Sequence, residues 1–483
     1  MAISAFKNEA LTDFNKPANK KAMEQALAKV KSMLGKEYPI VIGAEEIFTQ
    51  NKLTSFNPSR PSEVVGLFQK ADVNLASKAV EAAAATFETW KFVDAKKRAD
   101  YLFKAAKIMR KRKHEFSAVM VYEVGKTWPE ADADTAEAID FMEFYGREML
   151  RYAAKQPVTK IPKEKNEVVY IPLGVGLAVP PWNFALAILT GMASAAIVAG
   201  NTVVLKPSSD SPLTGWMYFN LMREVGMPPG VINFVSGPGG SFGDAVVAHP
   251  KTRFISFTGS KEVGIHINEL AAKVQPGQIW LKRVVAEMGG KDSIVVDDQT
   301  NLEAAATATI ASAFGFQGQK CSAASRAIVV EKVYDKFVEL IRSKASKLTV
   351  GEADNPSNSM GPVINQGAEQ KILEYIRKGL EEGGRLIAGG RKADGAGYFV
   401  QPTVIADVDP KGTISQEEIF GPVLAIIKAK DFDQALEIAN NTEFGLLNLR
   451  MEAPDSPQLR PLPRDCSCPH FRIPGTCMRA GLR

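Results

Sequence analysis

Cys321 lies in Gly315-Phe316-Gln317-Gly318-Gln319-Lys320-Cys321-Ser322-Ala323-Ala324-Ser325-Arg326, and no other cysteine occurs before residue 466. A lone cysteine in a protein body is most often an inert, buried side chain. Two other stretches change the weighing. Ala286-Glu287-Met288-Gly289-Gly290-Lys291 offers a carboxylate, and Pro180-Pro181-Trp182-Asn183-Phe184 offers a carboxamide. An aldehyde carbon gives up hydride poorly until a nucleophile makes it tetrahedral. A thiolate does this, and the resulting thiohemiacetal oxyanion needs donors such as a side-chain amide and a backbone N–H. Loss of hydride to a nicotinamide then leaves a thioester, which a carboxylate base clears by activating water. Cys321, Asn183 and Glu287 match those three protein parts. Taken singly, Asn183 reads as a helix cap and Glu287 as an exposed acid at a strand end. Their coincidence carries the reading.

The nicotinamide site has weaker local signals. Phe257-Thr258-Gly259-Ser260-Lys261-Glu262-Val263-Gly264 has the layout strand, tight turn, helix, which presents backbone N–H groups to a phosphate. It is not the G-x-G-x-x-G fingerprint, so a plain turn fits as well. Gly237-Pro238-Gly239-Gly240 is equally ambiguous. Lys206 ends a strand, at the carboxyl edge where cofactors bind in open parallel sheets.

The elements around these residues follow an α/β rhythm. Helical periodicity marks residues 20–34, 73–90, 95–112, 114–124 and 130–152. From residue 167, strands at 168–170, 174–179, 202–207, 231–235, 254–257 and 284–287 alternate with helices at 185–199, 213–225, 243–248 and 261–273. This is the pattern of βαβ units on a doubly wound parallel sheet. A second rhythm runs through strand 293–296, helix 302–314, strand 327–330, helices 333–347 and 369–382, and strands 404–408 and 423–427. The chain's 483 residues are too many for one simple core. Its 45% hydrophobic and 23% charged content is ordinary for a globular enzyme. A net charge of +5 without a Lys/Arg block argues against a nucleic-acid partner. The N-terminus lacks a signal-peptide core, no apolar run reaches the ~20 residues of a membrane span, and a free thiol suits a reducing, cytoplasmic setting.

The chain resembles the aldehyde dehydrogenase superfamily. The resemblance rests on Pro181-Trp182-Asn183-Phe184, Thr202–Pro207, Phe257–Gly264, Glu287-Met288-Gly289-Gly290-Lys291, Gly318-Gln319-Lys320-Cys321 and Glu417-Glu418-Ile419-Phe420-Gly421-Pro422, in that order. Residues 130–141, 273–278 and 320–323 point to the branch that oxidises L-glutamate 5-semialdehyde, in exchange with 1-pyrroline-5-carboxylate, to L-glutamate. Another semialdehyde, such as succinic semialdehyde, is the competing substrate.

The resemblance implies a Rossmann-type parallel-sheet NAD-binding domain plus an α/β catalytic domain. The boundaries it suggests are an N-terminal extension over 1–55, the NAD-binding domain over 56–290 and the catalytic domain over 291–445. Residues 153–170 would form an oligomerisation hairpin, so a homo-oligomer is expected. By the same resemblance Cys321 is the nucleophile, Glu287 the deacylation base, and Asn183 with the Cys321 N–H the oxyanion hole. NAD is the cofactor. Lys206 would meet the adenosine ribose, Gly259 and Ser260 the pyrophosphate, and Glu418 the nicotinamide ribose, with Phe420 beside the ring. Trp182 and Ser209 complete the cofactor positions. Relatives that prefer NAD often carry Glu where this chain has Ser209, so the preference over NADP is left open by this residue. Ser322, Phe184 and Glu137 fall at substrate-pocket positions. No metal site is expected.

The resemblance ends near residue 445. Residues 446–483 hold six Arg and no Lys, against 39 Lys and 14 Arg before them, with six Pro and three Cys. So abrupt a change reads as a stretch translated in another frame, foreign to the fold and disordered. Cys466, Cys468, His470 and Cys477 invite a zinc reading, which Pro469 and the foreign composition weigh against. The expectation that follows is a chain that binds NAD but has an impaired substrate anchor and subunit interface.

Overall fold

The computed structural model describes residues 5–446 and 448–451. The chain divides into two compact units: residues up to Asn57, Pro61–Val124 and Trp128–Met288 form the first, and Pro58–Arg60, Gly125–Thr127 and the chain from Gly289 form the second.

The first unit opens with α1 (Pro17–Lys31), β1 (Lys36–Tyr38), β2 (Ile40–Ile42), β3 (Glu45–Ile47), β4 (Lys52–Asn57) and β5 (Arg60–Gln69). Four helices follow: α2 (Val73–Trp90), α3 (Ala95–Lys111), α4 (Lys113–Val124) and α5 (Trp128–Ala153). The parallel elements are β6 (Val175–Val179), α6 (Ala187–Val198), β7 (Thr202–Leu205), α7 (Pro212–Glu224), β8 (Ile232–Phe234), α8 (Asp244–Ala248), β9 (Thr252–Thr258), α9 (Lys261–Ala272) and β10 (Arg283–Glu287). They build a seven-stranded sheet in the order β10-β9-β6-β7-β8-β2-β3. Strands β6 to β10 are all parallel, while β2 and β3 add antiparallel pairs at one edge. Residues 40–47, expected to precede the domain, thus extend its sheet.

Val175, Leu177, Val204, Ile255 and Phe257 pack with Ala76, Ala79, Val80 and Ala83 of α2 on one face. The alanine spacing of α2 lets that helix lie close to the strands. Helices α6 and α7 cover the other face. A second sheet has the order β1-β5-β4. Residues 154–174 carry no strand. Val168–Tyr170 have strand-forming side chains but no neighbouring strand to receive their N–H and C=O groups, and Val169 and Ile171 are 71% and 80% exposed.

The second unit comprises β11 (Ser293–Val296), α10 (Leu302–Phe314), β12 (Arg326–Val330), α11 (Tyr334–Ala345), α12 (Gln366–Glu381), β13 (Arg385–Ala388), β14 (Thr403–Ala406), the single turn α13 (Thr413–Gln416), β15 (Val423–Ala429), α14 (Phe432–Asn440) and β16 (Asn448–Met451). Its six-stranded sheet runs β13-β14-β15-β12-β11-β16, parallel except where β13 pairs with β14. The strands are apolar at successive positions because both faces are covered. Ile294, Val296, Ala327, Val329, Leu424 and Ile426 face one core. The intervening Val295, Ile328, Val423, Ala425 and Ile427 face another. Strand β16 starts inside the stretch set apart by composition and pairs with β11 in parallel. The remainder of that stretch, including the Cys466–Cys477 cluster, lies outside the described residues.

Candidate active site

In the first unit the candidate residues collect at one sheet edge, because each follows the carboxyl end of a parallel strand. Trp182, Asn183 and Phe184 follow β6, Lys206 follows β7, Gly237–Gly240 follow β8, Gly259 and Ser260 follow β9, and Glu287 ends β10. The chain winds outward from β6 to β8 and then returns to β9 on the other side. The reversal point lies between β6 and β9, where ligands settle in open α/β sheets.

Local chemistry holds these positions. Asn183 is buried at 5% exposure and is not a helix cap: α6 begins at Ala187, whose N–H donates to Asp134 Oδ1 at 2.6 Å. Ser260 caps α9 by accepting from Val263 N. Gly259 N donates to the Glu287 carbonyl at 3.1 Å, and a side chain there would meet the Phe257 ring at 2.6 Å. The N-terminus of the 12-residue α9 thus stands at this edge, and its backbone N–H groups are of the kind that receive an anion. Lys206 is buried, its Nζ donates to the carbonyls of Pro207 and Gly237 at 3.1 and 3.4 Å, and burial pulls its pKa to about 8. Gly239 and Gly240 have open space where side chains would stand. A buried amine, bare glycines and a capped helix start fit a dinucleotide. Glu137 is half-buried on α5, Phe184 is half-buried, and Ser209 is exposed.

In the second unit the residues collect at the opposite kind of edge, before the strands begin. Gly290-Lys291-Asp292 precede β11, Cys321–Ser325 precede β12, and Glu417–Gly421 precede β15. The Asp292 carbonyl accepts from Ser325 N and Arg326 N, each at 3.1 Å, and Glu418 Oε1 accepts from Gly290 N at 3.0 Å. A side chain at Gly289 would collide with the Glu418 carboxylate, and one at Gly290 with the Cys321 carbonyl. The two glycines of the Glu-Met-Gly-Gly-Lys motif thus let three loops close on one another. A small cleft opens here, lined by Gly290, Lys320, Ala323, Ser325, Glu418 and Phe420.

The backbone entering this edge is strained. Phe316 and Gln317 have φ of 47° and 57°, and Phe420 has 59°. Left-handed non-glycine residues cost about 1–3 kcal/mol each and persist where surroundings over-determine them. Here Gln317 Nε2 donates to the carbonyls of Pro362 at 2.7 Å and Gly125 at 3.2 Å, and the Lys126 ammonium lies 4.5 Å from the Phe316 ring centroid.

Cys321 is a half-buried free thiol. Burial, reinforced by the Asp292 and Glu418 carboxylates, pushes its pKa up to about 11, against the pull of the Cys321 and Ser322 N–H groups. The thiol is therefore held in its protonated form at neutral pH. Ser322 stands beside it. Arg326 is fully buried and donates to the carbonyls of Lys291, Ile438 and Ala439, the last two at the end of α14. Asp292, Arg326 and Gln317 carry no role in the motif reading, since a polar residue in or beside a motif looks solvated until the fold buries it.

Residues 48–449 match the aldehyde dehydrogenase family, and the chain belongs to that family. Over 444 residues, 92% of this chain and 86% of the relative, it is 56% identical to the 1-pyrroline-5-carboxylate dehydrogenase of Geobacillus sp. (strain WCH70). A Thermus 1-pyrroline-5-carboxylate dehydrogenase solved with bound NAD superposes with a TM-score of 0.91 at 47% identity, covering 94% of this chain and 87% of that one. An Escherichia coli NADP-dependent enzyme superposes at 0.81 with 32% identity, covering 86% and 85%.

Proposed function

We propose that this chain oxidises L-glutamate 5-semialdehyde, the open form of 1-pyrroline-5-carboxylate, to L-glutamate with NAD, a step of proline breakdown. The observation that carries this reading is the match, at 56% identity over 444 residues, to a chain named for that activity. The Cys321 and Glu418 frame gives it chemical support.

In this reading the Cys321 thiol gives its proton to water, and its Sγ bonds to the aldehyde carbon, whose oxygen becomes the oxyanion. The Asn183 carboxamide and the Cys321 N–H donate to the oxyanion. As the carbonyl reforms, hydride leaves and a thioester remains on Sγ. Glu287 then takes a proton from water, the hydroxide adds to the thioester, and Cys321 departs as thiolate. NAD supplies the hydride acceptor. Lys206 and Ser209 would hold its adenosine ribose, with Trp182 nearby; Gly259 and Ser260 its pyrophosphate; and Glu418 its nicotinamide ribose, with Phe420 beside the ring. Ser322, Phe184 and Glu137 would shape the substrate pocket. We also infer a cytoplasmic homo-oligomer that pairs through residues 153–170 and is impaired by the altered C-terminus. The exposed Val168, Val169, Tyr170 and Ile171 support that pairing, and sedimentation of a Val169→Asp variant as a smaller species would test it.

The test is NADH formation from 1-pyrroline-5-carboxylate and from succinic semialdehyde at equal concentration. Faster turnover of the first is expected. Turnover of the second alone would overturn the substrate, and NAD binding without NADH from either would overturn the activity.

A further inference from the structure

Lys291 is one of the buried titratable groups that the reaction just described leaves unused. Lys291 is 2% exposed, and among the described residues its Nζ has no hydrogen-bond partner. Its own carbonyl is pinned by two donations from Arg326, at 3.2 and 2.8 Å. The residue before it, Gly290, presents its N–H to Glu418. The side chain therefore leaves a rigid backbone and stays buried, where the charges of Arg326 on β12, Glu418 and Glu417 before β15, and Asp292 on its own segment act on its amine. Two of these, Asp292 and Glu418, also act on Cys321.

A buried amine is seldom retained without a charge to answer. We propose that Lys291 is the positioning residue for Glu418: its ammonium, enclosed with the Glu418 and Asp292 carboxylates, holds the Glu418 carboxylate on Gly290 and so sets affinity for the nicotinamide half of NAD. The inference rests on the assignment of Glu418 to the nicotinamide ribose. Burial, with Arg326 adding to it, lowers the Lys291 pKa to about 7, while the neighbouring carboxylates raise it. As pH rises through that value the ammonium is lost, Glu418 and Asp292 face each other less compensated, and NAD affinity falls.

The experiment measures dissociation constants for NAD and for AMP, which lacks the nicotinamide ribose, between pH 6 and 9. Wild type, Lys291→Met, Lys291→Arg and Glu418→Gln are compared, with thermal melts to confirm folding. Lys206 titrates in the same window, so the difference between wild type and Lys291→Met is the readout. Lys291→Met should weaken NAD about tenfold at pH 6, the equivalent of ~1.4 kcal/mol, leave AMP unchanged, and remove the part of the pH dependence that wild type shows for NAD alone. Lys291→Arg, always charged, should keep NAD affinity to pH 9. Should Lys291→Met fail to fold, Lys291→Arg against wild type at pH 9 decides the matter. NAD profiles that run parallel in wild type and Lys291→Met, or equal losses for NAD and AMP, overturn the inference. Unchanged NAD affinity in Glu418→Gln would instead overturn the assignment of Glu418.

Discussion

The carboxyl edge of the seven-stranded sheet and the amino edge of the six-stranded sheet hold their candidate residues in different ways. At the first edge, ordinary strand–turn–helix geometry does the positioning: Ser260 caps α9, Asp134 caps α6, and Lys206 simply ends a strand. At the second, three loops are forced together. Phe316, Gln317 and Phe420 are left-handed, and Cys321, Lys291 and Arg326 all have displaced pKa values, against Lys206 at the first edge. The contrast teaches a division of labour. A sheet edge built from repeated units suits the binding of a large cofactor, whereas a thiol with a shifted proton needs a strained, charged enclosure.

Four substitutions sharpen or break this comparison. Cys321→Ala should lower turnover by about a thousandfold or more while NAD still binds, because a covalent step has no substitute; residual turnover near wild type, followed as NADH absorbance, would undo the contrast. Lys206→Met should raise the NAD dissociation constant roughly tenfold, with the pH at which Cys321 reacts unchanged. A shift in thiol titration would instead mean that the two edges are not separable in function.

Glu418→Gln should move Cys321 the other way. Its carboxylate raises the thiol pKa, so removing that charge lowers the value from about 11 toward the ordinary range. Iodoacetamide labelling against pH would then show its midpoint at lower pH than in wild type. The smallest effect is expected at exposed Ser209. Ser209→Glu should favour NAD over NADP by severalfold, through repulsion of the 2′-phosphate, and an unchanged ratio of kcat/KM values would remove Ser209 from the cofactor positions.

How far the chain could be read in advance follows from the same contrast. Periodicity and caps mark α2 and α10 to their ends, since Asp72 and Asn301 accept from Leu75 N and Ala304 N at 3.0 and 3.1 Å. The motif residues of the first edge are legible for a related reason, since a strand followed by a Gly-Ser turn can project in few directions. Strands β4 and β5 were not legible. Lys-Leu-Thr-Ser-Phe-Asn alternates poorly, and only the turn between them is marked, by Pro58. Val168–Tyr170 erred the other way, because β-propensity reports a side chain's fit to a sheet and says nothing of whether a partner strand exists.

The second edge hid the most. Gly318 advertises a left-handed turn, but Phe316 and Gln317 do not; their conformation is imposed by the carbonyls of Gly125 and Pro362, far away in sequence. Lys291 after two glycines looks like a solvated charge. What buries it comes from β12 and from the loop before β15, and no local pattern announces that.

The account's central claim is that Cys321 forms a thioester which Glu287 clears. Mixing Glu287→Ala with NAD and 1-pyrroline-5-carboxylate, quenching in acid and weighing the peptide that contains Cys321 tests it most directly. The account predicts one equivalent of NADH per site and a glutamyl adduct on Cys321 that wild type does not accumulate. Steady turnover by Glu287→Ala with an unmodified Cys321 peptide would contradict it.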